Sequence, residues 1–172
     1  MKRVYSGSEL LCYTGEMRNM RRKDRELPRE EALDIVDNCA YAVMATVNPD
    51  GTPYCIPLSL VWEGELLYFH SALEGHKIDN LKVRNRVCIC CVGAIKPIPG
   101  VFSIGYESAV ISGPAFQVTD REEMIHALTL ISKRYTPANM AAFDKAIEKQ
   151  LGSTGVWKIR IEEISGKANR PK

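Results

Sequence analysis

The residues of this chain best able to do chemistry crowd into one stretch, His70-Ser71-Ala72-Leu73-Glu74-Gly75-His76-Lys77. A glycine where a strand changes into a helix lets the backbone turn tightly and approach a ligand, and the first N–H groups of the following helix have no carbonyl partner. Such a helix end attracts anions. Lys77 adds a compact positive charge and Ser71 a hydroxyl, so several donors converge on one oxyanion and the stretch reads as a phosphate cradle. His70 could donate to the same anion, bond a neighbouring carbonyl, or exchange a proton with a substrate. His76 stands at the helix start. A solvated strand-to-helix loop with a surface lysine would look the same, and Gly-x-Lys alone is too common to separate the two.

Three apolar runs precede and position this stretch: Tyr41 to Val47, Thr52 to Trp62, and Glu65 to Ser71. Asn48-Pro49-Asp50-Gly51 is a strong hairpin signal and Glu63-Gly64 a plausible two-residue turn, which gives an antiparallel meander. Pro53 and Pro57 cannot donate to a ladder, so the middle strand belongs at an edge or a bulge. Its unused backbone donors and acceptors suit the edge of a flat heterocycle, or else the prolines simply guard an edge against aggregation.

Taken together, these residues resemble a family. Met20-Arg21-Arg22-Lys23-Asp24-Arg25, Asp50-Gly51-Thr52-Pro53-Tyr54, Pro57-Leu58, Tyr68-Phe69-His70-Ser71-Ala72-Leu73, Gly75-His76-Lys77-Ile78-Asp79 and Ile164-Ser165-Gly166-Lys167 occur in the order seen in flavin-nucleotide-binding pyridoxamine 5′-phosphate oxidase-like proteins, and among those in 5-nitroimidazole antibiotic-resistance proteins. The resemblance implies a mainly β fold, a split antiparallel β-barrel of the FMN-binding type, with an N-terminal helix and a helical hairpin before the last strand. It implies FMN at a homodimer interface, with Tyr54, Ile56, Pro57, Leu58 and Ser59 beside the ring and His70, Ser71, Ala72, His76 and Lys77 along the ribityl phosphate arm. In such dimers the partner lends aromatic and hydroxyl groups to the cofactor, which brings forward Tyr106, Ser108 and Trp157. An aromatic in a strand is more often packing.

On that resemblance the expected activity is electron transfer from NAD(P)H to a small planar acceptor such as a 5-nitroimidazole, with His70 as the catalytic candidate. No Gly-x-Gly-x-x-Gly is present, so a nicotinamide would visit without a dinucleotide domain of its own. The alternative is a non-catalytic flavin- or haem-binding sensor of the same fold, in which His70 would be the iron ligand.

At 172 residues, with 45% hydrophobic and 26% charged, the chain suits a single domain, expected over residues 20–172 behind an N-terminal extension at 1–19 of the kind where disorder concentrates. A net charge of +2 gives no reason to expect nucleic acid; the one basic run, Arg18 to Arg25, has no interleaved aromatics. No run approaches the roughly 20 apolar residues of a membrane span. The N-terminus lacks the apolar core of a signal peptide, so the expected compartment is the cytoplasm. Of the six cysteines, Cys88, Cys90 and Cys91 sit in an apolar strand, with Cys88 and Cys90 on one face and Cys91 on the other. Reduced thiols fit that compartment, and no spacing makes a zinc site.

The second half supplies the remaining wall and a helical lid. Phe102 to Val118 reads as one long strand bent at Gly105 and Gly113 and broken at Pro114. Thr119-Asp120-Arg121-Glu122 reads as a capping box opening a helix through about Arg134. Thr136-Pro137 opens another through about Gln150, and Val156 to Ile161 alternates as a closing strand. His126 reads as a surface or interface side chain.

Overall fold

The computed structural model describes residues 19–170, so the expected extension lies, Asn19 apart, outside the described residues. A turn of 3-10 helix at Lys23–Arg25 leads into β1 (Glu26–Leu27) and helix α1 (Arg29–Asn38), which lays Ala32, Ile35 and Val36 on the sheet. Strands β2 (Ala42–Val47), β3 (Pro53–Leu58), β4 (Leu60–Glu63) and β5 (Leu66–Ser71) precede helix α2 (His76–Val83). Then come β6 (Arg86–Pro97), β7 (Ile104–Gln117), α3 (Arg121–Tyr135), α4 (Phe143–Gln150), β8 (Gly155–Arg160) and β9 (Glu163–Asn169).

The strands join in the order β3-β2-β6-β7-β8-β5-β4, with β9 on β7 and β1 on β9. All pairings are antiparallel, and β3 and β4 close the path as edges. Pro53 and Pro57 therefore sit on an edge strand, where a missing donor is tolerated. Strand β7 belongs to both halves. Its residues through Pro114 pair with β6, and Ala115 to Gln117 pair with β8. At the crossing, a Cβ on Gly113 would lie 1.8 Å from the Arg160 carbonyl oxygen, a space only glycine can leave.

Two clusters hold the halves. One gathers Met44, Phe69, Ile78, Ile89, Ile111, Trp157 and Ile159 between the sheet, α1 and α2; the other packs Tyr68, Val118, Leu128, Ile131 and Val156 under α3. Arg134 links these regions. Its Nη2 donates to the Val36 and Cys39 carbonyls at 2.7 and 2.9 Å, satisfying the C-terminal end of α1, and its Nη1 donates to the Leu60 carbonyl at 2.9 Å.

Five expectations need correction. The strand expected from Thr52 to Trp62 breaks at Ser59, because the Leu60 N–H donates to the Tyr135 hydroxyl and its carbonyl accepts from Tyr135 and Arg134. Pro114 does not end β7; it lies where the strand changes partners. Helix α3 is capped by Asp120, whose carboxylate accepts from the Glu123 N–H at 2.8 Å, one residue after the expected cap. The segment after Pro137 starts as a 3-10 turn over Pro137–Ala142 and becomes α-helical only at Phe143. A further strand, β9, follows the expected closing strand. Cysteine alternation is as expected: Cys91 is buried while Cys88 and Cys90 face outward.

Candidate functional site

The cradle is built at the junction of β5 and α2. Gly75 has φ 123°, a region open to glycine, and serves as N-cap. Its carbonyl accepts from the Ile78 and Asp79 N–H groups at 2.8 and 3.0 Å, which leaves the His76 and Lys77 N–H groups at the helix start without a helix carbonyl. Lys77 is half-buried and makes no ion pair among the described residues. Ser71 is buried and its hydroxyl donates to the Ala72 carbonyl at 2.7 Å, so it faces the cradle as an acceptor before it can be a donor. Gly155, paired with Ser71, brings β8 close enough that a Cβ there would meet Ser71 Oγ and the Ala72 carbonyl at 3.2 Å.

His70 points to the helical side of β5. It lines a cavity of about 180 Å³ with Leu128, Ile131, Phe143, Ile147 and Leu151. Desolvation against these groups, and then the charge of Lys77, hold its imidazole below the usual 6.5, so the ring is neutral near neutral pH.

The helix start is wired to the β2–β3 turn. Asn48 Oδ1 lies 2.8 Å from His76 Nε2 and also accepts from Asn80 Nδ2 at 2.8 Å. Asn48 Nδ2 donates to the Thr52 hydroxyl at 2.9 Å, which in turn donates to Asp50 at 2.6 Å. This chain fixes the Asn48 carbonyl as acceptor and makes His76 the Nε2–H tautomer. Asn80, 1% exposed, also donates to Thr46 Oγ1 at 2.9 Å. Tyr54 stacks on the His76 ring with centroids 4.0 Å apart. Thr52 hydrogen bonds hold the Asp50 carboxyl below its usual range.

Of the residues named from sequence, the fold thus brings Tyr54 to His76 and sets Ser71, Ala72 and Lys77 around the same junction with His70. Ile56 and Leu58 lie on the inner face of β3 against the core, Pro57 faces out, and Ser59 is the break between β3 and β4. Tyr106 and Ser108 lie on β7, three positions away from β3 in the strand order. Trp157 is 5% exposed and stacks parallel to Phe69 with centroids 6.4 Å apart, so in this chain it packs the core. Sequence reasoning missed Asn48, Asn80 and Thr46. Their one signal is Asn80 between Ile78 and Leu81, a polar residue among the buried positions of a short helix.

An open antiparallel sheet, split into two halves that share one long strand and carrying a cationic helix start beside an edge, defines the pyridoxamine 5′-phosphate oxidase-like split barrel. Residues 28–168 match the family model described as pyridoxamine 5′-phosphate oxidase, and the chain belongs to that family. No curated protein matches it. Among solved structures it is similar to a candidate 5-nitroimidazole antibiotic resistance protein from Bacteroides thetaiotaomicron, at 26% identity over 84% of this chain and 90% of that one, with a TM-score of 0.69. It shares the fold of the flavocytochrome from Azotobacter vinelandii (19% identity, 89% and 73% covered, TM-score 0.74). It also shares the fold of an FAD and haem binding protein from Mycobacterium smegmatis (20%, 86% and 74%, 0.73). Among the described residues no helix is long and apolar enough to cross a membrane.

Proposed function

We propose that this protein binds FMN and uses it to pass electrons from NAD(P)H to a small planar acceptor, a 5-nitroimidazole being the acceptor the similarity to the Bacteroides protein brings forward. The observation that carries the reading is Lys77, a half-buried ammonium without an ion pair among the described residues, at a helix start whose first two N–H groups are free. A flavin phosphate answers all three donors. FMN, when bound, supplies the two-electron chemistry.

The chain's own residues bind and orient. The His76 and Lys77 N–H groups and the Lys77 ammonium hold the phosphate, while the Tyr54–His76 stack keeps the β3 edge in register with the helix start. Exposed backbone of β3 then meets the polar edge of the ring. His70, neutral near pH 7, is the group suited to hold and release a proton at an imidazole nitrogen. The second copy completes the site, with its Tyr106 and Ser108 on the outer face of the sheet. Among the described residues Cys39, Cys55, Cys88, Cys90 and Cys91 are free thiols, which accords with a reducing compartment, the cytoplasm.

The deciding experiment is the absorption spectrum of the purified protein with the mass of the released cofactor, followed by anaerobic reduction with NADH and NADPH. Flavin bands, the FMN mass and nitroimidazole-dependent oxidation of the reduced protein are expected. One observation favours a second reading: the His70 imidazole makes no hydrogen bond among the described residues, so it would be the residue to hold a haem iron if that group were bound. A Soret band lost in His70→Ala would establish that reading.

A further inference from the structure

The basic run that ends in Arg22-Lys23-Asp24-Arg25 and the C-terminal Ser165-Gly166-Lys167 belong to the motifs that carry the family resemblance but have no role assigned at the flavin, and the fold brings them together. Strand β1, directly after the basic run, pairs with β9 so that Glu26 lies opposite Lys167 and Leu27 opposite Gly166. Strand β9 pairs in turn with β7, Lys167 opposite Ser108 and Asn169 opposite Tyr106. The approach is close: a Cβ on Gly166 would lie 2.8 Å from Ala32 Cβ and 2.9 Å from Leu27 Cβ.

Both segments deliver a cation to one side chain. Arg25 Nη1 donates to the Tyr106 hydroxyl at 3.2 Å, with its guanidinium 5.9 Å from the ring centroid, and Lys167 Nζ lies 5.6 Å from the same centroid. All three residues are half-buried. Three neighbouring pairs of charges are matched. Arg22 pairs with Asp24, Lys23 with Glu26 at 2.7 Å, and Glu107 with Arg170 at 2.9 Å. Arg25 and Lys167 have no carboxylate partner among the described residues. Two like charges gathered on one phenol repel each other, and partial burial adds to that cost, unless an anion joins them.

We propose that Arg25, Lys167 and Tyr106 form a binding site for the carboxylate or phosphate group of a small molecule. Arginine offers a planar fork, lysine a point charge and the phenol a third donor, a set suited to an oxyanion. Tyr106 also lines a cavity of about 310 Å³ with Lys96, Gly105, Glu107, Asn169 and Arg170, where the Glu107 carboxylate is matched by Arg170, and this cavity gives the rest of such a molecule room. The hydrogen bond from Arg25, followed by Lys167, holds the phenol below the usual 10.0. A bound anion opposes the phenolate and raises it again.

That titration is the test, and it needs no flavin. The ultraviolet difference titration of wild type minus Tyr106→Phe is run at matched ionic strength in chloride, phosphate or acetate. Phosphate or acetate is expected to raise the Tyr106 midpoint by about one unit over chloride, and Arg25→Met or Lys167→Met to remove the response. A response to phosphate alone makes the ligand a phosphate, and one to acetate as well a carboxylate. FMN and riboflavin binding to Lys167→Met separates two sources of phosphate: loss of FMN affinity alone assigns the cofactor's own, and unchanged binding assigns a separate ligand. A Tyr106 midpoint identical in all three salts overturns the proposal on wild-type protein alone, as does a response that survives both substitutions. Absence of flavin from the protein would defeat the FMN reading and leave this result standing.

Discussion

Tyr54 and His76 stack with ring centroids 4.0 Å apart and planes inclined by 28°, although one stands on the edge strand β3 and the other on the first residue of α2. The edge strand β3 and the start of α2 are therefore in direct side-chain contact. Asn48 completes the link from below, since its carbonyl accepts from both His76 and Asn80.

Asn48→Ala removes both of those bonds and leaves the buried Asn80 amide short of a partner. We expect a loss of about 1–3 kcal/mol in unfolding free energy, the usual cost of an unsatisfied buried donor. FMN affinity should fall while riboflavin affinity holds, because the phosphate end is what loosens. Nitrogen-detected NMR of the His76 ring provides a readout free of cofactor. The Nε2–H tautomer should dominate in wild type and lose its dominance in the variant; an unchanged tautomer would show that Asn48 does not set it.

Lys77→Met tests the cradle directly. A charge-assisted hydrogen bond contributes about 1.5–3 kcal/mol, so FMN should bind about ten- to a hundredfold more weakly. Riboflavin, which has no phosphate, should bind as before. Fluorescence quenching of each flavin measures both, and equal weakening of the two would place the phosphate elsewhere.

The same lysine acts on His70. In the unfolded chain His70 takes up a proton near its usual 6.5, and in the fold only at lower pH, first through desolvation and then through Lys77. Between those two values the unfolded state holds the extra proton, so the stability His70 contributes is full above 6.5 and is lost as pH falls through the folded value. Proton NMR titration should place the His70 midpoint below 6.5 and move it upward in Lys77→Met. A midpoint that ignores the substitution would separate the two residues.

Local chemistry carried much of the fold in the sequence. Proline cannot donate, so Pro53 and Pro57 narrowed β3 to an edge or a bulge, and strand alternation put Cys91 on the face opposite Cys88 and Cys90. Gly75 as the changeover from strand to helix was legible for the same reason, since such a turn needs no distant residue. Long-range partners were not legible. The break at Ser59 depends on Arg134 and Tyr135, whose bonds to Leu60 span more than 70 residues. Asn48 read only as a turn residue because its partners lie about 30 positions away in α2. Trp157 has the alternation of a strand aromatic, and only the packing of β8 beside β5 shows that its ring is spent on Phe69.

Gly113→Ala examines the crossing that joins the two halves. A methyl group there would sit 1.8 Å from the Arg160 carbonyl oxygen and 3.0 Å from the Arg160 carbonyl carbon, both backbone atoms with no rotamer to change. Relief requires β7 to separate from the β8–β9 corner, where the Glu162 N–H donates to the Ser112 carbonyl at 3.1 Å. Overpacking of this kind costs about 1–3 kcal/mol, and at a backbone contact the upper end or beyond is expected. Chemical denaturation should show that loss, with FMN affinity reduced far less because Gly75 to Lys77 lie outside the crossing. A variant as stable as wild type would mean that the strands approach less closely at Gly113 than these distances require.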